Sequence, residues 1–193
     1  MSEEKITVLI RTINRATLKD AINSARREFK NVIVIADDVE VDDGVIPDDV
    51  DFYTTGRKFD SYGSAAINLG AYVCKTEFFC LLDDDDEFFH GAGKFMHDAI
   101  QRNPEIDIWV PGLEYSNGNR VCMSPGLYGG NVGVPTYRTT LLFEYPFHAR
   151  MEFESGDPYL IDFTHVRDLV RLGYKIDWYC KCLIAVRPWL NRQ

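Results

Sequence analysis

The chain has 193 residues, 46% of them hydrophobic and 26% charged, and its 21 Lys and Arg against 30 Asp and Glu give a formal net charge of −9. That composition suits one soluble domain with a real core and excludes a disordered chain. No apolar run exceeds about six residues, against the roughly 20 that a bilayer span needs, and Met1 to Lys5 is too polar to open a secretory signal. The negative charge argues against non-specific nucleic-acid binding. Five cysteines (Cys74, Cys80, Cys122, Cys180 and Cys182) with no CxxC pair indicate neither a disulfide framework nor a zinc knuckle, so the expected compartment is reduced and cytoplasmic.

In chain order, Ile6 to Ile10 is a β-branched run that predicts a buried strand opening into a loop at Arg11, Thr12 and Asn14. Leu18, Ala21, Ile22, Ala25 and Phe29 recur at helical spacing, and Thr17 three residues before Asp20 has the form of a capping box with Asp in place of Glu. Val32 to Ala36 predicts a second strand, stopped by Asp37 and Asp38. Strand, helix, strand is the pattern of a parallel α/β sheet, because parallel neighbours need a crossover element. Phe52 to Thr54 continues it as a weak strand, Ser64 to Cys74 as a helix and Phe78 to Leu82 as a strongly apolar strand.

From Gly91 to Arg102 the positions of Phe95, Met96, Ala99 and Ile100 predict another helix, with Pro104 just beyond its end. The character then changes. Short strand-like pieces at Ile108 to Val110 and Arg120 to Met123 flank the hairpin signal Asn117-Gly118, and Gly126, Gly129, Gly130 and Gly133 predict a loop. A last helix fits Phe163 to Leu172 with Gly173 at its C-cap, and Ile176 to Tyr179 and Leu183 to Val186 close the sheet. With no repeat or linker, the change near residue 107 divides one domain into two halves, about 1–106 and about 107–193.

Asp83, Asp84, Asp85, Asp86 and Glu87 place five carboxylates in succession at the C-terminal end of the most apolar strand. In extended backbone Asp83 and Asp85 share one face, and Asp84 and Asp86 the other. Two close carboxylates repel unless a cation or protons intervene, and Mg²⁺ or Mn²⁺ answers that repulsion while keeping positions open for phosphate oxygens. Ligands of open α/β sheets bind outside the carboxyl ends of the strands, where this run lies. Taken alone, an acidic run is an exposed loop that favours the positive end of the following helix. A calcium loop fails because Phe88 and Lys94 stand where Gly and Glu are needed. A phosphate loop fails because Phe88 and Phe95 stand at its first Gly and its Ser/Thr.

The strand end Thr12-Ile13-Asn14-Arg15, the second strand end Ala36-Asp37-Asp38, Gly63 with Asn68, and the run Leu81 to Phe88 together resemble glycosyltransferase family 2, over Ile6 to about Val186. The resemblance implies a GT-A type, Rossmann-like α/β fold: a mostly parallel central sheet flanked by helices in a single domain. It implies transfer of one sugar from a nucleotide-diphospho-sugar, a UDP-sugar by preference, to a hydroxyl of a saccharide, lipid or protein glycan, with Mn²⁺ or Mg²⁺ as cofactor. Position by position, Arg11 and Thr12 match residues bordering the nucleotide, Asp38 the aspartate on the uracil, and Arg57 a basic residue near base or phosphates. Asp83 matches the first member of the DxD motif, near ribose and metal, and Asp85 its third, the metal ligand. Asp162, about eleven residues before Gly173, matches the general base.

Arg11 replaces the proline usual at its position, Ile161 replaces the glutamate before the base, and the QxxRW motif of processive synthases is missing. The implied reaction is therefore a single transfer, inverting by direct displacement, with a retaining transferase or a non-catalytic nucleotide-sugar-binding module as the alternatives. Each site residue also has a plain structural use. Asp37, Asp38, Thr12 and Asn14 suit turns, Asp162 suits a helix N-cap, and His165, one turn on, is either a core-edge residue or a group facing metal or phosphate.

Overall fold

The computed structural model describes residues 5–57, 63–122, 135–147 and 161–186, with backbone alone for 161–164. The predicted elements occur in the predicted order, with β5, β8 and α4 added: β1 (Ile6–Thr12), α1 (Leu18–Glu28), β2 (Asn31–Ala36), β3 (Asp51–Thr54), α2 (Ser64–Val73), β4 (Phe78–Asp83), β5 (Asp86–Phe88), α3 (Ala92–Arg102), β6 (Ile108–Tyr115), β7 (Arg120–Val121), β8 (Thr136–Arg138), α4 (Leu141–Glu144), α5 (Ile161–Arg171) and β9 (Ile176–Val186). One sheet takes strands from both sides of residue 107, in the order β3-β2-β1-β4-β8-β6-β9-β5 with β7 on the flank of β6. Six of the nine described strands run one way, and β5, β7 and β8 run against them. The anticipated single α/β domain with a mostly parallel sheet flanked by helices is the architecture observed.

Burial explains why the first half reads so clearly. Strands covered on both faces carry continuous apolar runs, and Phe78 to Leu82 of β4 and Ile6 to Ile10 of β1 are buried throughout. α1 turns Leu18, Ala21, Ile22 and Ala25 into the core. α2 lies close on the sheet, since a Cβ at Gly70 would stand 2.8 Å from Leu9 Cδ1. Gly173, at φ 92°, takes the predicted left-handed C-cap of α5.

Three local expectations change. Thr17 makes no capping bond to α1; its hydroxyl donates instead to the carbonyl of Asp84 at 2.6 Å. The acidic run does not cap α3, because Glu28 at the end of α1 accepts from the backbone N–H groups of Gly91 (2.9 Å) and Gly93 (3.3 Å). The two final strands are one, β9, with a bulge opposite Gly112 that lets the strand continue through Cys180. The predicted glycine-rich loop from Gly126 to Gly133 lies outside the described residues.

The run after β4 is itself a structured turn. Asp84 and Asp85 reverse the chain into β5, which pairs antiparallel with β9 at the far end of the sheet path. The sheet therefore curls until its last strand returns beside β4. α1 holds β5 down: Ser24 Oγ accepts from Phe88 N–H (3.2 Å), Arg27 donates to the Phe88 carbonyl (2.7 Å), and the rings of Phe29 and Phe88 meet at 5.0 Å.

The α1 to α3 contact allows no added atom at Gly93, where a Cβ would stand 2.1 Å from the backbone oxygen of Glu28. Gly93→Ala should lower stability by about 1–3 kcal/mol or more, the range for overpacking a filled site. Gly70→Ala should cost less, because its nearest neighbours are movable methyl groups. Urea midpoints of the two variants check the order.

Candidate active site

The C-terminal ends of β1 and β4 lie side by side, with Arg11 paired in register with Asp83. This rim gathers the residues on which the sequence reading turned. Within the acidic turn Asp84 and Asp86 are buried, while Asp83 and Asp85 are partly exposed.

Asp84 is built into the protein. Its Oδ2 accepts from the Thr12 hydroxyl (2.7 Å), from Ile13 N–H (3.1 Å) and from Arg15 N–H (3.4 Å), while its Oδ1 receives the Arg15 guanidinium. Thr12 Oγ1 also accepts from Asn14 N–H at 2.8 Å. This network bends the chain sharply after β1 and sets Asn14 at φ 62°, a left-handed conformation that Asn tolerates better than most residues.

Asp83 faces outward and meets Arg11, whose Nε donates to Oδ1 at 2.5 Å and whose Nη2 donates to Oδ2 at 3.3 Å. Burial works to raise the Asp83 carboxyl, but Arg11, helped by Arg15, outweighs it and holds the group below the usual carboxylate range. Asp85 has weaker support, one contact with Arg15 Nη1 at 3.3 Å. Burial, with the charges of Asp83 and Asp84, outweighs Arg15 there and pushes the Asp85 carboxyl up. The two exposed-face aspartates are thus unlike: one matched by a cation, the other short of positive charge.

That imbalance, and hard oxygen donors at a strand end, fit a divalent ion such as Mn²⁺ or Mg²⁺. Among the described residues no group of three or more His, Cys, Asp or Glu side chains is arranged to hold a metal, so an ion here would complete its shell with oxygens of a bound ligand and water.

Asp38 and Arg57 follow the C-terminal ends of β2 and β3, which lie beyond β1 in the same parallel sheet. Asp38 is exposed at the end of β2 with φ 55°, and Arg57 is exposed just past β3. The backbone of Asp162 lies in the first turn of α5, and its side chain is outside the described residues. α5 is fixed through an aromatic contact: His165, buried, stacks on Phe147 at 3.8 Å and 17°, with Tyr145 and Tyr137 beside it. Phe147 is held in turn by Asn68 of α2, whose amide donates to the Phe147 carbonyl (2.8 Å) and accepts from its N–H (2.9 Å). His165 is thus buried among three aromatic rings.

Sequence reasoning assigned no site role to Arg15 or Asp84 and gave Thr17 only a helix cap. The alternation of faces through the run marks Asp84 as inward, and an inward carboxylate needs partners; its long-range partners cannot be read from spacing.

The whole chain was compared with known proteins. The sequence matches no family profile and no curated relative, but solved structures match closely in shape. S. aureus TarS 1-349 superimposes with a TM-score of 0.70 at 18% identity, covering 95% of this chain and 60% of that one. The chain shares its fold with TarS. The TarS 1-349 complex with UDP-GlcNAc matches with a TM-score of 0.68 at 17% identity over 95% of this chain and 58% of that one. S. aureus TarS as a longer chain gives 0.69 at 17% over 95% and 37%. The present chain thus spans about three-fifths of TarS 1-349 and little over a third of the longer TarS chain. Among the described residues, no helix is long and apolar enough to cross a membrane.

The two faces of the turn predict opposite stability effects. Asp84→Ala leaves the Arg15 guanidinium and the Thr12 hydroxyl without their buried acceptor and should cost about 3–5 kcal/mol, as breaking a buried ion pair does. Asp85→Asn relieves repulsion and should change stability by no more than about 0.5 kcal/mol, or raise it slightly. Chemical denaturation in the absence of nucleotide and metal measures both.

Proposed function

We propose that the chain is a nucleotide-sugar glycosyltransferase that moves one sugar from a UDP-sugar, of which UDP-GlcNAc is the first to test, to an acceptor hydroxyl with inversion. The observation that carries this reading is the Asp83 to Asp85 turn at the β1/β4 rim of a fold shared with TarS, which has been crystallised with UDP-GlcNAc and with UDP. In open α/β sheets such a rim is where nucleotides bind.

In this reading Arg11, Thr12, Asp38 and Arg57 border the nucleotide. Thr12 acts through the turn it shapes with Asp84, and Asp38 and Arg57 offer exposed polar groups to the base and phosphates. Asp83 accepts a ribose hydroxyl with lone pairs left over from Arg11. Asp85, with Asp83 as the second candidate ligand, would hold Mn²⁺ or Mg²⁺, whose positive charge offsets the charge developing on the departing diphosphate. Asp162 takes the proton of the acceptor hydroxyl as that oxygen attacks the anomeric carbon from the face opposite UDP. The C1–O bond to UDP breaks, the acceptor oxygen forms the new bond, and the configuration inverts. The five cysteines, all free thiols, suit a reduced, cytoplasmic setting.

Asp85→Ala should abolish UDP release from UDP-GlcNAc in the presence of Mn²⁺, and EDTA should do the same to the wild type. Asp162→Asn should reduce turnover by about 10²-fold or more, the scale of a lost general base, while UDP binding by calorimetry stays unchanged. Wild-type turnover in Asp162→Asn would remove that residue from the mechanism. UDP binding with no UDP release across a panel of acceptors would make the chain a binding module. Product NMR at the anomeric carbon separates inversion from retention.

A further inference from the structure

Arg11 is the residue by which β1 departs from the pattern that it otherwise resembles, and the fold gives it a defined partner. It lies directly across from Asp83 in the parallel β1/β4 register. Its guanidinium engages both oxygens of that carboxylate, Nε to Oδ1 at 2.5 Å and Nη2 to Oδ2 at 3.3 Å. A forked pair of this kind fixes orientation as well as charge. The neighbouring backbone leaves room for it: Gly63, at φ +84°, would with a Cβ stand 2.9 Å from Arg11 Cδ and 3.0 Å from its Nη1. Asp85, on the same exposed face, has one longer contact with Arg15, which is shared with Asp84.

We propose that Arg11 is a built-in counter-ion that keeps Asp83 out of the coordination of a divalent cation, so that Asp85 alone among the carboxylates of this turn holds the ion. A divalent ion bound to Asp83 would either sit close to a guanidinium, where like charges repel, or have to strip away both hydrogen bonds of the fork. An ion bound to Asp85 meets the weaker obstacle, a single 3.3 Å contact with the Arg15 guanidinium that Asp84 also holds. Asp83 is then a nucleotide-orienting group, and Arg11 sets how tightly the rim takes metal before the donor arrives. The inference rests on the reading that this rim binds a divalent ion together with a nucleotide, and it assigns the two aspartates different work within it.

The test is Mn²⁺ binding to the full chain without nucleotide, followed by the electron paramagnetic resonance signal of free Mn²⁺. Arg11→Met keeps an unbranched stem beside Gly63 and removes the charge. It should tighten Mn²⁺ binding by about tenfold, because a second carboxylate becomes available. Asp83→Asn in the wild-type background should leave the affinity within about twofold, Asp85→Asn should abolish binding, and Arg11→Met with Asp83→Asn should return to the wild-type value. If Arg11→Met binds as wild type does, if Asp83→Asn weakens binding as much as Asp85→Asn does, or if no variant binds Mn²⁺, the proposal is overturned. Should Arg11→Met fail to fold, the comparison of Asp83→Asn with Asp85→Asn still decides. Sugar transfer is read separately by UDP release from the wild-type chain, so tightened Mn²⁺ binding in Arg11→Met with no UDP release by the wild type would sink the transferase reading and leave this one standing.

Discussion

A single buried carboxylate joins the two loops that form the rim. Asp84 belongs to the turn after β4, yet its bonds run to Thr12, Ile13 and Arg15 in the turn after β1, some 70 residues away in the chain. A buried carboxylate is tolerable only when it is paired and hydrogen-bonded, and here both of its oxygens are used. The Thr17 hydroxyl adds a bond to the same residue's carbonyl and so ties in the start of α1. With Asp84 fixed inward, Asp83 and Asp85 on either side of it are left partly exposed.

Charge around the turn is divided unequally. Arg11 is spent on Asp83, and Arg15 is shared between Asp84 and Asp85. Of the three carboxylates, Asp85 is the one whose ionised form its surroundings disfavour, through burial and the charges of Asp83 and Asp84. Under the proposed reading a diphosphate would approach this charge only together with a cation, because two anions do not otherwise come close.

Much of this was readable before any coordinates. The buried parallel strands announce themselves because continuous apolar runs such as Phe78 to Leu82 can be nothing else in a chain without membrane-length segments. The partial exposure of Asp83 and Asp85 agrees with the alternation expected from the sequence, even though the backbone at Asp84 and Asp85 is a turn and not a strand. What failed were assignments in which a local partner competes with a distant one. Thr17 and Asp20 have the spacing of a helix cap, but the Thr17 hydroxyl finds the Asp84 carbonyl. The acidic run has the position of a cap for α3, but Glu28 reaches that helix from α1. The merging of the last two strands into β9 depends on Gly112 admitting a bulge from its neighbour, which no pattern within β9 reveals. Likewise, Asn68 was noticed by resemblance, while its clasp on the Phe147 backbone across 79 residues appears only in three dimensions.

The curled sheet bears on the order in which the molecule is made. β5 follows β4 after two residues, yet Asp86 pairs with Val186, so the acidic turn has one flank secured early and the other only when the chain has grown by a further hundred residues. During synthesis β1 to β4 can assemble around α1 and α2 with no help from the second half. The downstream arm of the turn stays an open strand edge until β9 emerges and zips against it. Such long-range pairing is the slow part of folding. The nascent chain can therefore form its first parallel strands before the downstream flank of the acidic turn is paired.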